Sequence, residues 1–324
     1  MASAGSLISF SLAALLAFSG SLAYAAQAGE ILHLGYTNSQ GSKAPVFLGK
    51  EQRIFDKHGL DLRLVRVSPG RLAVPQLLSG EIQLFLGNSA PVVEAIAKER
   101  APLAIIASLG TDRFAIFTTP TIGRPEELKG KTFGISTAGA SQDRIARRAL
   151  KRLGIEPDRD IRVVATGYNQ SIDRLSALAR GEVDAVAAAS EDLHQLAPDE
   201  AKRVKRLMEL ADIGIYVSGA DIAVARSYIQ VRRETVRRFL GAVEESLRLA
   251  RDRPDFLGEV YKKYLRIADA RALAMKIKEY YAGNPPKSPL PNKKAIEGNI
   301  EELKEKYPDF EPPGVSAYVD ESFF

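Results

Sequence analysis

Residues 77–89 read LLSGEIQLFLGNS, and residues 178–190 read LARGEVDAVAAAS. At one offset Leu77 matches Leu178, Gly80 matches Gly181, Glu81 matches Glu182 and Ser89 matches Ser190. Each copy spells the same local structure. A helix ends at a glycine free to take positive φ, and an acidic residue follows. A short β-rich apolar run then stops at a small polar residue suited to open the next helix. The likeness continues upstream, where Leu34-Gly35-Tyr36-Thr37 aligns with Phe133-Gly134-Ile135-Ser136, and Leu62-Arg63-Leu64-Val65 with Ile161-Arg162-Val163-Val164. The repeat predicts one β-α-β-α-β design used in two lobes, with a cleft between them.

Composition agrees with that plan. The 324 residues carry ordinary apolar and charged fractions, which fits a globular chain with room for two domains. Residues 1–28 hold no charged side chain, and their apolar run from Leu7 to Phe18 is too short to span a bilayer. The run leads into Ala23-Tyr24-Ala25 and Ala26-Gln27-Ala28, both small-x-small patterns. A signal peptide over 1–28 is predicted, cleaved near Ala25 or Ala28, with the mature protein exported. The chain has no cysteine, so a lipid-carrying cysteine is excluded and stability must come from the core rather than from disulfides. The net charge of +5 is spread over many Lys and Arg residues. Its densest stretches, Lys202-Arg203-Val204-Lys205-Arg206 and Arg232 to Arg238, read as solvated helix faces with no nucleic-acid module around them. No nucleic-acid partner is expected.

Alternating apolar runs at Ile31–Tyr36, Leu62–Val67, Ile82–Leu86 and Ala104–Ser108 predict four strands separated by helices. Around Thr111 to Phe114 the chain crosses to the second lobe, which opens with a strand at Phe114–Thr118 and continues with Lys131–Ser136. Arg206–Leu210 is its last strand, and Ile213 to Ala223 return the chain. The fold class is therefore α/β, each lobe a mostly parallel sheet flanked by helices. Lobe 1 comprises 29–113 and 217–324, and lobe 2 comprises 114–216. Val236, Phe239, Leu240, Val243, Leu247 and Ala250 form an amphipathic helical stripe. The helices after it are expected to buttress lobe 1.

Ligands of open α/β folds bind where parallel strands deliver their loops. Those loops carry Asn38, Ser39, Ser68, Gly70, Asn88 and Ser89 in the first lobe, and Ser136, Thr137, Ser141, Asn169 and Ser190 in the second. Free N–H groups at helix N-termini, joined by hydroxyl and amide side chains, can cradle a carboxylate or sulfonate. Ser68, Asn88, Ser89, Ser171 and Ser190 also read as helix N-caps, and the two roles are compatible. Arg71, after Ser68-Pro69-Gly70, is placed to pair bidentately with an anion. Arg113 reads equally as a ligand contact or a hinge ion pair. Tyr168 lies in a loop and can stack on a ligand. Glu191 reads as a first-turn acid; facing the cleft, it would argue for a ligand that also carries an amine. Catalytic readings fail. His33, His58 and His194 lack metal-ligand spacing, and there is no cysteine nucleophile, nucleophile elbow or phosphate loop. No catalytic residue, metal or cofactor is expected.

Several runs taken in order resemble one family. They are LGYTNSQGSKAPVFLGKEQRIFDKHGLDLRLV, SGEIQLFLGNSAP, PEELKGKTFGISTAGAS, ARSYIQVRRETVRRFLGAVEESLRLARDRP and the closing YVDESFF. Together they are similar to the solute-binding proteins of ABC importers in the nitrate/sulfonate/taurine family, which includes thiamine-precursor binders. The resemblance implies a type II periplasmic-binding fold that closes on its ligand and delivers it to an ABC permease in the inner membrane. It implies ligand contacts from Asn38, Ser39, Ser68, Gly70, Asn88, Ser89, Ser136, Thr137, Ser141, Asn169 and Ser190. The expected ligand is a small polar or anionic organic solute of the sulfonate, carboxylate or heteroaromatic amine type, bound by a monomer. Two other readings stay open: an enzyme on the same fold, of the pyrimidine-precursor synthase or lyase type, and a ligand-binding partner of a sensory receptor. The related synthases rely on histidine and a cysteine-rich motif, and this chain has no cysteine.

Overall fold

The computed structural model describes residues 29–37, 41–282 and 285–324. The signal peptide expected over 1–28, and Asn38 and Ser39 of the site, lie outside the described residues. The strands are β1 Glu30–Tyr36, β2 Leu60–Arg66, β3 Leu84–Gly87, β4 Leu103–Ser108, β5 Thr111–Asp112 and β6 Phe114–Thr118. They continue with β7 Thr132–Ile135, β8 Arg162–Ala165, β9 Ala185–Ala189, β10 Lys205–Glu209, β11 Val217–Ser218 and β12 Asp221–Ala225. The first helices are α1 Ala44–Glu51, α2 Ile54–Lys57, α3 Ala73–Ser79, α4 Ala90–Glu99, α5 Ser141–Arg152 and α6 Ser171–Ala179. The others are α7 Pro198–Ala201, α8 Arg226–Val231, α9 Arg233–Asp252, α10 Pro254–Leu265, α11 Ala270–Ala282 and α12 Lys293–Lys306.

The strands form two five-stranded sheets, ordered β2-β1-β3-β12-β4 and β8-β7-β9-β6-β10. The orders are equivalent. In each sheet, four strands run one way and the fifth is reversed, because β12 is antiparallel to β3 and β4, and β6 is antiparallel to β9 and β10. The reversed strand is the one that follows a crossing. The doubled segment marks the equivalent positions: Gly80 and Gly181 both adopt φ 78°, a left-handed conformation that a side chain would strain. β3 and β9, which follow them, are buried along their whole length.

Both faces of each sheet are covered. Leu32, Leu34, Leu62 and Leu86 pack on Phe55, Phe239 and Val243 on one face of the first sheet, and Phe85, Leu103 and Ile105 pack on Val92 and Tyr318 on the other. In the second sheet Phe133 and Ile135 meet Ala146 and Leu150, while Phe117 and Val186 meet Leu175 and Leu178. The stripe expected in α9 is buried at all six positions. α1 lies close against α9 at Gly49, where a methyl group would overlap the Ser246 hydroxyl. Among the described residues no helix is long and apolar enough to cross a membrane.

β5 and β11, the two crossing segments, pair antiparallel as a ribbon, with Val217 opposite Asp112 and Ser218 opposite Thr111. The ribbon is anchored at Asp221, a carboxyl only 1% exposed. Ser89 Oγ donates to its Oδ2 at 2.5 Å, Ser108 Oγ donates to its Oδ1 at 2.5 Å, and Ser218 Oγ also donates to Oδ2. Asn299 of α12 donates to Ser89 Oγ at 3.0 Å. Burial pushes the Asp221 carboxyl above its ordinary range, and the three hydroxyls work against that rise. One side chain thus joins the ends of β3 and β4, the ribbon and β12. Replacing Asp221 with Ala strands three buried hydroxyls and should lower stability by roughly 2–4 kcal/mol, while Asp221→Asn, which still accepts hydrogen bonds, should lose about half as much. Urea midpoints at constant slope measure this, and an unchanged midpoint in Asp221→Ala would refute the anchoring role.

Candidate functional site

A cavity of about 470 Å³ opens where the ribbon meets the C-terminal helices. The turn ahead of α1 supplies Gly41 and Ser42, and the crossing supplies Ser108 to Arg113 and Tyr216. α10 and α11 contribute Tyr261, Lys276, Glu279 and Tyr280, and the loop before α12 contributes Ser288 and Leu290. Glu191 reaches in from the turn after β9 of the second sheet. The volume and the mixed polar and aromatic lining suit a small organic molecule.

The walls are charged, and most charges are paired. Lys276, 6% exposed, holds Glu191 at 2.9 Å and lies 3.9 Å from Asp192, joining α11 to the second sheet's turn. Glu279 receives Arg113 at 3.2 Å, His194 at 3.1 Å and Arg206 at 3.8 Å. Arg113 also reaches Glu209 at 3.1 Å. Farther along, Arg144 pairs with Glu302, and Arg148 donates to the Gly298 carbonyl at 2.7 Å, fixing α5 to α12. Asp112 accepts a 2.6 Å hydrogen bond from Ser42 Oγ. Burial raises its carboxyl above the ordinary range, with Lys43 opposing the rise. Lys43, 1% exposed, has its ammonium lowered by burial against the pull of Asp112, Asp221 and Glu191. Asp192 is pushed up to about 6, chiefly by burial, with Lys276 opposing and Glu191 adding to the rise. Among the described residues no cluster of His, Asp and Glu could hold a metal ion.

Of the residues singled out in the sequence, Arg113 and Glu191 line this cavity. Glu191 faces it, and Arg113 is engaged in the ion pairs above. Ser89, 1% exposed, spends its hydroxyl on Asp221, and Asn88 donates to the Ser218 carbonyl at 2.7 Å while accepting from Ala90 N at 2.8 Å. Ser190 is buried and donates to Glu209 at 2.7 Å. Ser136 is buried, with its N–H donating to Gln142 Oε1 at 2.8 Å. Ser68, Arg71, Thr137 and Asn169 are exposed, Gly70 is half-buried near Thr37, and Ser141 opens α5. The Tyr168 hydroxyl lies 3.4 Å from Arg180, with the guanidinium above its ring. None of these last-named residues lines the cavity. Sequence reasoning missed Ser42, Asp112, Tyr261, Lys276 and Tyr280. Asp112 sits beside Arg113 in the crossing, which was a usable signal; α10 and α11 carry no motif. Of the helices after the stripe, expected to buttress lobe 1, α10 packs on α1, whereas α11 forms a wall of the cavity.

Two sheets of equivalent strand order, joined by a paired crossing with a cavity beside it, define the periplasmic-binding-protein fold. The periplasmic aliphatic sulphonate binding protein SsuA from Escherichia coli has this fold, with TM-score 0.71 and 19% identity over 90% of this chain and 92% of its own. The periplasmic nitrate-binding protein NrtA from Synechocystis PCC 6803 gives 0.65 and 12% over 91% and 87%, and the desulfurization enzyme DSZB gives 0.66 and 15% over 90% and 97%. A search of curated proteins found no sequence match. The profile of the family described as NMT1/THI5 like matches residues 40–256, two thirds of the chain. The chain belongs to the NMT1/THI5-like family.

Asp192 offers a test of the buried charges. The native state keeps its proton up to about pH 6, while the unfolded chain releases it near 3.8, so the folded state binds more protons between those values. That contribution is complete at low pH and is lost as pH rises through about 6. Asp192→Asn stays neutral throughout. Its stability relative to wild type should grow from about pH 4 to about pH 6.5 by on the order of 1–2 kcal/mol, then level off. Denaturation series at stepped pH measure the difference. A flat difference would show that Asp192 does not hold its proton in the surroundings of Lys276, Glu191, Arg174 and Asp112.

Proposed function

We propose that this chain is the periplasmic solute-binding component of an ABC importer. In this reading residues 1–28 direct export, and lobes 29–113 with 217–324 and 114–216 close over a small polar or anionic organic solute. The monomer then hands that solute to a permease in the inner membrane. The observation that carries the reading is the cavity at the crossing, walled by both parts of the chain, with Glu191 from one side held to Lys276 from the other at 2.9 Å. Such cross-cavity pairs are the contacts that opening of the two lobes would break. The sulphonate- and nitrate-binding proteins that share the fold support the solute class, and DSZB supports the enzyme as the competing reading. The site residues read from the sequence enter the proposal through Arg113 and Glu191.

Purified mature protein should gain thermal stability with at least one solute from a panel of sulfonates, carboxylates and heteroaromatic amines. A ligand at about a hundredfold excess over its Kd adds about 2.7 kcal/mol to a fold that alone binds it. Ser288→Trp, which fills the cavity from a half-buried loop position, should abolish the shift while unfolding stays cooperative. Recovery of the solute chemically unchanged separates binding from turnover. A shift that survives Ser288→Trp would place the site elsewhere.

A further inference from the structure

Three carboxylates line the cavity among the described residues: Asp112, Glu191 and Glu279. Two are committed, Glu191 to Lys276 and Glu279 to Arg113 and His194. Asp112 is not. Among the described residues no Lys, Arg or His side chain stands within ion-pair distance of it, and its hydrogen bond from a side chain is the one from Ser42. An ionised carboxylate has about four lone-pair directions, so the hydrogen bond from Ser42 leaves accepting capacity unused among the described residues.

The position of that carboxylate is fixed. Asp112 lies in β5, in register with Val217 of β11, and its carboxylate rests on the Cα of Gly219. Any side chain at 219 would overlap it, although Gly219 has no positive φ that would call for glycine. The seat therefore requires glycine for space rather than for backbone conformation. Burial most opposes the charged form of Asp112, Lys43 and Lys276 favour it, and Glu191 opposes it.

A second, independent feature lies in the same walls. Tyr216, Tyr261 and Tyr280 line the cavity, and the hydroxyls of Tyr261 and Tyr280 are buried with no hydrogen-bond partner among the described residues. Tyr261 is 0% exposed, so its unmet hydroxyl is costly unless a ligand completes it. Aromatic rings also attract cations through their faces. A carboxylate on a fixed seat among tyrosines is the chemistry that recognises a protonated organic amine.

We propose that Asp112 binds an ammonium group of the solute, with Tyr261 and Tyr280 completing its polar contacts, so that the ligand class is a small organic amine rather than a simple anion. This rests on the solute-binding reading of the cavity and narrows it. The sulphonate and nitrate binders that share the fold are named for anions, whereas the Asp112 carboxylate is suited to a cationic group.

Matched probes test the assignment: 4-aminobutyrate against butyrate, and benzylamine against benzyl alcohol, by calorimetry and thermal shift on the mature protein. In at least one pair the amine should bind at least about tenfold more tightly. Asp112→Asn, nearly isosteric, should bring that ratio close to one. Gly219→Ala, which displaces the carboxylate without removing it, should do the same and covers the case in which Asp112→Asn fails to fold. If the amine-free members bind as tightly as the amines, or if the preference persists in both variants, Asp112 is not the ammonium site and the solute-binding reading still stands. If neither these probes nor the wider panel stabilises the protein, both readings fall.

Discussion

The arrangement depends on one buried carboxylate. Asp221 stands where the chain re-enters the first sheet, and it gathers the hydroxyls of Ser89, Ser108 and Ser218. Each hydroxyl comes from a different strand end or turn. A buried acid costs free energy unless hydrogen bonds compensate it, so the four groups are stable only together. That mutual dependence sets the position of the ribbon, and the ribbon sets Asp112 and Arg113 in the cavity wall. The geometry of the site is thus inherited from a carboxyl that does not itself line the cavity, although its donor Ser108 does.

The second determinant is α11. Its Lys276 and Glu279 meet residues of the second sheet's turn and edge strand, and Glu279 faces Arg113, His194 and Arg206 together, two of which Glu209 shares. These groups are partly buried, which reduces solvent screening and makes a shared network stronger than isolated surface pairs. The same helix presents Tyr280 to the cavity. One element therefore both walls the cavity and helps attach the two sheets, so movement between the sheets must rearrange the cavity wall.

Much of the fold was legible because local rules and packing agree in it. Gly80 and Gly181 announce two helix ends, and both adopt the left-handed conformation that glycine tolerates. The spacing from Val236 to Ala250 announces α9, and every position in the stripe is buried. Phe114–Thr118 was bounded correctly to the residue. The cavity was less legible for a physical reason. Ser89 and Asn88 carry the marks of a helix cap, and nothing near them in sequence reveals Asp221 or Ser218 as their partners. Lys276 and Tyr261 lie on ordinary amphipathic helices, and their role follows from which turn of the second sheet lies opposite. Pairings across the crossing depend on how the chain returns, and no short motif encodes that.

The reversed strand in each sheet has a consequence for how the protein is made. β6 to β10 are contiguous in the chain, so the second sheet is complete as soon as its own segment exists. The first sheet is not. β12 fills the slot between β3 and β4, and it is synthesised only after the whole second sheet. Until then β3 and β4 face a gap with open hydrogen-bonding edges, the form of a nascent chain most apt to pair wrongly or to be held by a chaperone. Asp221, the first residue of β12, is also the residue that locks the ribbon. Closing the gap and forming the anchor are one event, and the cavity is completed only when α10, α11 and the loop before α12 add their walls to it.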